Sequence, residues 1–113
     1  MHKYVRAMAL KDKWLNEAQN DLTSELEYVY DHFGPSTAER VYRNVIDGID
    51  VLRQFPDSGV RFMGLKFHGA EVRTLSLGIL SIIYCQYEDA LIIIAIWNNY
   101  QDTAKLKLAL SNR

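Results

Sequence analysis

The side chains best suited to proton transfer in this chain are His68, in the loop before a predicted strand, and Glu71, three residues later at the start of that strand. An imidazole and a carboxylate that meet could act as a general acid and base. No neighbouring residue orients the pair, however, so an ordinary surface position is the favoured interpretation. His2 and His32 lie far from His68 in the sequence, and no two histidines have helical metal-ligand spacing. We therefore expect neither a metal site nor a cofactor.

A second group of polar side chains follows the most apolar part of the chain. Asn98, Asn99 and Tyr100 come directly after the run that ends at Trp97. Exposed polar and aromatic residues in such loops are often contact residues, because a rigid strand positions them. The group predicts binding to a partner, with an ordinary solvated loop as the alternative.

The composition indicates one globular domain spanning residues 1–113. The net charge of −1 and the pI of about 6.3 argue against a chain that coats nucleic acid by itself. The only cysteine, Cys85, lies within an apolar run, so we expect a buried small hydrophobic residue and no disulfide. A lone thiol, no signal peptide and no apolar stretch of about 18 residues predict a cytoplasmic protein without a membrane span.

Two amphipathic helices are predicted in the first half, at Asn16–Phe33 and Ser36–Gln54. In both, apolar residues recur at steps of three and four, and Gly34-Pro35 separates them. The short connection makes an antiparallel hairpin. Both starts have capping-box spacing, with Asn16 followed by Gln19 and Ser36 followed by Glu39.

The remaining elements are strands, and the fold class is α+β. A loop is expected at Phe55–Gly64, and the tail Tyr100–Arg113 can form a short helix. The order β-α-α-β-β-β predicts a helical hairpin packed on a mostly antiparallel four-stranded sheet, with the amino-terminal strand at its edge. The predicted strands are Met8–Trp14, Glu71–Leu77, Ile79–Tyr87 and Ala90–Trp97.

The last two strands form a hairpin whose turn is Glu88-Asp89. This turn pairs Cys85 with Ile92, Tyr84 with Ile93, Ile83 with Ile94 and Ile82 with Ala95. Both faces of the hairpin are then apolar, and two helices can cover only one of them. The sequence therefore predicts a bare apolar surface that a partner covers, burying roughly 1,000 Å² or more.

Several short motifs in order resemble the RelE/ParE toxin superfamily across residues 8 to 104, and more closely its ParE-like branch. The matching pieces are Trp14 with Ala18, Asp21-Leu22, Tyr30, the phrase IDVLRQFPDSG at 49–59, Glu71-Val72-Arg73, Gly78, Ile82-Ile83-Tyr84 and Gln101-Asp102. Residues 1–7 lie outside the pattern, and a tag remnant, an upstream start and a native extension all stay open for them.

The resemblance implies a bacterial toxin of a type II toxin-antitoxin, plasmid-stabilisation system that a cognate antitoxin neutralises. RelE-type members are implied to be ribosome-dependent mRNA interferases that use clustered Lys and Arg. Arg73 matches a basic position of the family, but Ser81 and Tyr100 stand where most members have arginines. A neutral hydroxyl cannot replace a guanidinium on a phosphate. We therefore expect a binder more than an enzyme.

Candidate site residues follow from this comparison. The predicted target-binding set is Arg73, Ser81, Asn98, Asn99 and Tyr100, and weak catalytic candidates are Arg73 and Tyr84. A two-residue turn at Leu77-Gly78 puts Arg73 and Ser81 on opposite faces, whereas a three-residue turn puts them on the same face. For Tyr84, a core position is the stronger alternative to a catalytic phenol.

Three functions remain open. The first is a ParE-like toxin that binds a protein target, implied to be DNA gyrase. The second is a RelE-like endoribonuclease acting on the ribosome and mRNA with a depleted site. The third is an inactive relative kept as an antitoxin-binding or repressor module.

Overall fold

The computed structural model describes residues 9–113, apart from the side chain of Met63. Its elements are β1 (Lys11–Trp14), α1 (Asn16–Phe33), α2 (Pro35–Gln54), a 3₁₀ turn (Pro56–Ser58), β2 (Val60–Phe67), β3 (Ala70–Ser76), β4 (Leu80–Tyr87), β5 (Ala90–Asn98) and α3 (Thr103–Ser111). The predicted α+β class is confirmed. The amino-terminal extension and the predicted strand start at Met8 lie outside the described residues.

The helical hairpin forms where the apolar spacing predicts it, but its caps differ. Leu15 caps α1 and Gly34 caps α2, both without a side-chain hydrogen bond, so neither predicted capping box forms. Pro35 instead occupies the first turn of α2, where its missing N–H costs nothing. Gly34, with φ of 90°, makes the sharp reversal between the helices.

The sheet has five strands in the order β1-β5-β4-β3-β2, one more than the sequence predicts. The additional strand, β2, covers residues that the sequence assigns partly to a loop. Its pairing with β3 shifts register between Arg61 and Lys66, and Gly64 lies there with φ of 67°. That irregularity breaks the alternation by which a strand is recognised in sequence.

The strand β1 lies at the opposite edge and pairs in parallel with β5, so the sheet is mostly antiparallel.

The turn between β3 and β4 fixes which side chains share a face. Arg73 pairs with Tyr84 and Ser76 with Ser81. The Leu77 N–H then donates to the Leu80 carbonyl at 2.8 Å, so the two-residue turn is Gly78-Ile79, one residue later than the predicted Leu77-Gly78. Gly78 takes a φ of 94°, which glycine adopts without strain. Since Tyr84 and Ser81 are three residues apart on one strand, Arg73 and Ser81 lie on opposite faces of the sheet.

The hairpin of β4 and β5 turns at Glu88-Asp89, as predicted. Cys85 pairs with Ile92 and Tyr84 with Ile93, but Ile83 then pairs with Ala95 and Ile82 with Ile96. The predicted partners of Ile83 and Ile82 are therefore wrong by one residue, because Ile94 is inserted as a β-bulge.

Each face of the sheet has its own core. The helices cover the first face, where Gly48 of α2 comes so close that a Cβ would lie 3.1 Å from Ile82. The second face carries Val72, Ile83 and Cys85, and Leu106 of α3 is buried against it. The carboxy-terminal helix thus shields part of the face that the sequence predicts to be bare.

Candidate functional site

Tyr84, a weak catalytic candidate, is fully buried and holds the loop between α2 and β2. Its hydroxyl donates to the Pro56 carbonyl at 2.6 Å and accepts from the Gly59 N–H at 2.9 Å. A Cβ on Gly59 would lie 2.5 Å from the hydroxyl, so only glycine fits there. Burial raises the pKa of the phenol, mainly by desolvation, so the proton stays on. This geometry gives Tyr84 a positioning role, and a catalytic role stays a prediction.

Arg73 holds the same loop from the neighbouring strand. Its guanidinium donates to the Gly59 carbonyl at 2.8 Å and lies 3.7 Å from an Asp57 carboxylate oxygen and 3.5 Å from one of Glu71. The side chain is only 21% exposed. Its charge is therefore engaged with two carboxylates and a carbonyl instead of facing an open anion site.

Ser81 and Asn99 meet on the second face. The Ser81 hydroxyl donates to Asn99 Oδ1 at 2.6 Å, and Asn99 Nδ2 donates to the Gly78 carbonyl at 2.6 Å and to Ser76 Oγ at 3.3 Å. These bonds tie the start of the loop after β5 to the β3–β4 turn. The predicted residues Ser81 and Asn99 are thus brought together, and both are neutral.

Asn98 bonds to α1 at the same end of the molecule and also holds the backbone of Tyr100. Asn98 Nδ2 donates to a Glu25 carboxylate oxygen at 3.2 Å, and Asn98 Oδ1 accepts from the Tyr100 N–H at 2.9 Å. The Tyr100 side chain itself is free of these bonds, and the residue is 85% exposed. The loop is therefore braced while its tyrosine projects into solvent.

Exposed apolar side chains surround Tyr100 and form what we call the aromatic patch: Tyr28, Phe33, Ile79 and Tyr100. They border a cleft of about 530 Å³ together with Glu25, Val29, Asn98 and Gln101. Phe33 is 62% exposed, although its helical spacing predicts a core position. Sequence reasoning missed Tyr28, Phe33 and Ile79 as site residues. An aromatic side chain outside the α1 apolar stripe, as at Tyr28, is the signal that could have found the patch.

A second cleft, of about 370 Å³, crosses the other face of the sheet beside α3. We call it the second-face cleft. Its lining, drawn from the loop before β2, four strands, the loop after β5 and α3, contains no charged residue: Ser58, Val60, Phe62, Thr74, Leu75, Ser76, Ser81, Ile83, Trp97, Asn99, Gln101, Thr103 and Leu106. Four of the five predicted target-binding residues lie in or between the two clefts. Arg73 does not, because it lies on the first face and faces the loop before β2.

The remaining candidates do not assemble into a site. His68 is exposed in the β2–β3 turn with its ring against Phe67, while Glu71 binds Arg61 at 3.1 Å as well as Arg73. No His68–Glu71 hydrogen bond or ion pair forms within residues 9–113. Across that same range, no group of three or more His, Cys, Asp or Glu residues could hold a metal ion.

Cys85 is buried on the second face, and burial raises the pKa of its thiol to about 11. A thiol that keeps its proton at neutral pH is a poor nucleophile.

Among the helices of residues 9–113, none is both long enough and apolar enough to cross a bilayer.

Comparison by sequence and comparison by structure both match this chain to ParE-type proteins. The family model described as "ParE toxin of type II toxin-antitoxin system, parDE" matches residues 13–103. A solved structure, described as "Chromosomal ParDE TA system from P. aeruginosa", superposes with a TM-score of 0.64 at 21% identity, covering 80% of this chain and 97% of that chain. No curated protein sequence matches significantly. At this identity, the structural likeness carries the fold alone.

Proposed function

The chain belongs to the ParE toxin family of type II toxin-antitoxin systems, and from that premise we propose that it acts by binding a protein target, DNA gyrase, and not by cleaving RNA. The observation that carries the proposal is the state of Arg73. This residue matches the basic position of the RNA-cleaving relatives, yet its guanidinium is occupied by Gly59, Asp57 and Glu71.

Cleavage of a phosphodiester needs cations beside the scissile group, since negative charge builds on its oxygens. The second-face cleft is lined by uncharged residues, and its Ser81 hydroxyl already donates to Asn99. Tyr84 is buried and its hydroxyl holds Pro56 and Gly59. Within residues 9–113, the groups that the resemblance offers for catalysis are thus committed to the fold.

The aromatic patch supplies a surface suited to protein binding. Tyrosine and other large aromatic residues are enriched among the interface residues that contribute most to affinity, because they bury a large area at low entropic cost. Tyr100 stands at 85% exposure on a loop that Asn98 and Asn99 brace. A braced loop with a projecting tyrosine loses little conformational entropy on binding.

Purified chain tested on two substrates separates the mechanisms. In a gyrase supercoiling assay we expect inhibition by the wild type, and in a ribosome-bound mRNA assay we expect intact message. Tyr100→Ala should lose most of the gyrase inhibition, whereas Tyr87→Ala, an exposed tyrosine at the opposite end of β4, should retain it. Message cleavage that Arg73→Ala abolishes, in a variant shown to be folded, would favour the RelE-like function instead. A chain without effect on either substrate would be an inactive relative.

We also infer a cognate antitoxin as the neutralising partner, because family membership describes one half of a toxin-antitoxin pair. The apolar exposure on α1 and beside β5 supports a covering partner. Co-purification of the product of the adjacent reading frame, with relief of gyrase inhibition, tests the pairing. Inhibition that persists at saturating neighbour protein would contradict it.

A further inference from the structure

We propose that the second-face cleft binds a short, extended, uncharged segment of the protein target. The inference rests on the proposed function and deepens it, because it assigns the cleft a peptide ligand in addition to the contacts made by the aromatic patch. The two clefts adjoin, since Gln101 lines both of them. One partner could therefore occupy the patch and continue into the cleft.

The charge of the lining selects the ligand class. Charged residues make up 24% of the chain, yet the second-face cleft has none. A ligand charge brought there would lose its hydration without gaining a counter-ion, which is costly. The lining thus disfavours nucleic acid and strongly charged peptides, and it accepts peptide groups and uncharged side chains.

The arrangement of polar and apolar groups fits a peptide. Ile83 and Leu106 are buried and make an apolar floor, and Trp97 is half-buried beside them. An apolar side chain of a ligand can rest on these groups. Toward solvent the cleft is bordered by hydroxyl and amide groups, which can bond to the backbone of an extended segment.

Part of this polar border has no bonding partner in the protein. The side chains of Ser58, Thr74, Gln101 and Thr103 form no hydrogen bond within the described part of the chain, and Thr74 is half-buried. Asn99, by contrast, is held by Ser81, Ser76 and Gly78. A fixed amide next to unoccupied hydroxyls is a preorganised surface, which lowers the cost of binding.

The volume is consistent with this ligand. Binding clefts for small ligands are typically about 300–1,000 Å³, and the second-face cleft of about 370 Å³ lies at the lower end. A few residues of an extended chain suit that space. Since the cleft crosses β2 to β5 and does not run along an edge, recognition would use side chains and not strand addition.

Trp97 provides a direct reporter of occupancy. The chain has two tryptophans, so Trp14→Phe leaves Trp97 alone to fluoresce. A displayed library of random short peptides without tryptophan is selected on this variant, and the selected peptides are titrated while Trp97 emission is followed. We expect the selected sequences to be depleted in Asp, Glu, Lys and Arg and to shift the emission.

Matched variants localise the binding. Thr103→Glu puts a charge at the cleft border, whereas Ala104→Glu puts the same charge one residue further on; both acids are favourable in the first turn of α3. We expect Thr103→Glu to weaken the peptides about tenfold or more, and Ala104→Glu to leave them unchanged. Thr74→Val, which removes a hydroxyl at constant shape, should weaken them about fivefold, the equivalent of one hydrogen bond.

Different results would refute peptide binding in the cleft and gyrase as the target. No emission shift with any peptide, a charged consensus, a shift with an oligonucleotide instead, or equal weakening by the two glutamates would overturn the cleft assignment. Full gyrase inhibition by Thr103→Glu would overturn it as well, and would leave the proposed function standing. Failure of the wild type to inhibit gyrase would refute the target instead, while the peptide titration still reads the cleft directly.

Discussion

The guanidinium of Arg113 forms a bidentate pair with the carboxylate of Asp21, with N–O distances of 2.6 and 3.0 Å. The same groups reach the backbone of β5, since Asp21 accepts from the Ile96 N–H at 3.1 Å and Arg113 donates to the Ile94 carbonyl at 3.0 Å. Two side chains that are distant in sequence thereby join α1, the bulge of β5 and the end of the chain. Both are mostly shielded from water, at 12% and 20% exposure.

Asp21→Ala should therefore destabilise the protein strongly. The change leaves the Arg113 charge and the Ile96 N–H without their partner, and breaking a well-shielded pair costs about 3 kcal/mol. Urea unfolding measures the loss. Glu39→Ala is the control, because its partner Arg43 lies at 3.6 Å and both side chains are about 70% exposed; it should change stability by about 0.5 kcal/mol or less. Equal losses in the two variants would contradict the importance of the Asp21 contacts.

Removing only the hydroxyl of Tyr84 should lower the stability of the protein. Tyr84→Phe keeps the ring but leaves the Gly59 N–H and the Pro56 carbonyl without that partner, which should cost about 1–3 kcal/mol. Thermal and urea unfolding would show it. Tyr87→Phe at an exposed position should be neutral, and a neutral Tyr84→Phe would mean that water replaces the hydroxyl without cost.

The buried thiol predicts a loss of stability in alkali. Burial raises the pKa of Cys85 from 9.0 to about 11. The stability that comes from burying the neutral thiol is fully present below the pKa of the unfolded state and disappears as pH rises through the pKa of the folded state. It should therefore be lost between pH 9 and 11. The free energy of unfolding should fall by about 2–3 kcal/mol across this range. Because burial also raises the pKa of Tyr84, both proteins are compared in a Tyr84→Phe background.

In that background, Cys85→Ala should flatten the alkaline decline in unfolding free energy. The smaller alanine side chain also leaves a minor cavity, so this variant should be less stable than its parent by a constant amount at neutral pH. The informative quantity is the slope against pH. An identical slope with and without the thiol would show that Cys85 has an ordinary pKa in the folded protein.

The carboxy-terminal helix should be held by Leu106. Leu106 is buried on the second face, whereas Leu108 is 68% exposed. Leu106→Ala should raise hydrogen exchange across Thr103–Ser111 and expose apolar surface, since the helix is short and depends on tertiary packing. Leu108→Ala should leave exchange unchanged. Equal protection in both variants would mean that other contacts dock α3.

We further expect the chain alone to self-associate and to become monodisperse with its antitoxin. The aromatic patch and exposed Val60, at 66%, leave apolar surface that α3 does not cover. Size-exclusion chromatography at rising concentration checks this. A concentration-independent monomer whose hydrogen exchange is unchanged by the adjacent gene product would contradict it.

Local periodicity predicted the helices and the main hairpin well, because a helical stripe or an apolar run around Glu88-Asp89 is readable within a short window. The bulge at Ile94 was not readable, since no local residue pattern marks it and the side chains that bond to the backbone beside it, Asp21 and Arg113, are distant in sequence. The strand β2 was hidden by Gly64 and its register shift.

The site was predicted less completely than the fold. Ser81, Asn98, Asn99 and Tyr100 do gather at one end, because the β3–β4 turn and the end of β5 are adjacent in the sheet. Whether Arg73 joined them depended on the number of turn residues, which the sequence left open. Phe33 illustrates a different failure: helical spacing selects a face, but Phe33 is the last residue of α1 and the fold leaves it 62% exposed.

The strand order has a consequence for how copies of this protein meet. An open sheet edge is a template for fibril-like growth, which natural proteins block with short strands, charges and bulges. Here one edge is the short strand β1, with Lys11, Asp12 and Lys13 exposed, and past its end the β5 backbone is occupied by Asp21 and Arg113. The other edge, β2, is irregular and carries Arg61 and Lys66. Association of the free toxin should therefore remain reversible and amorphous, without the cross-β signature of amyloid.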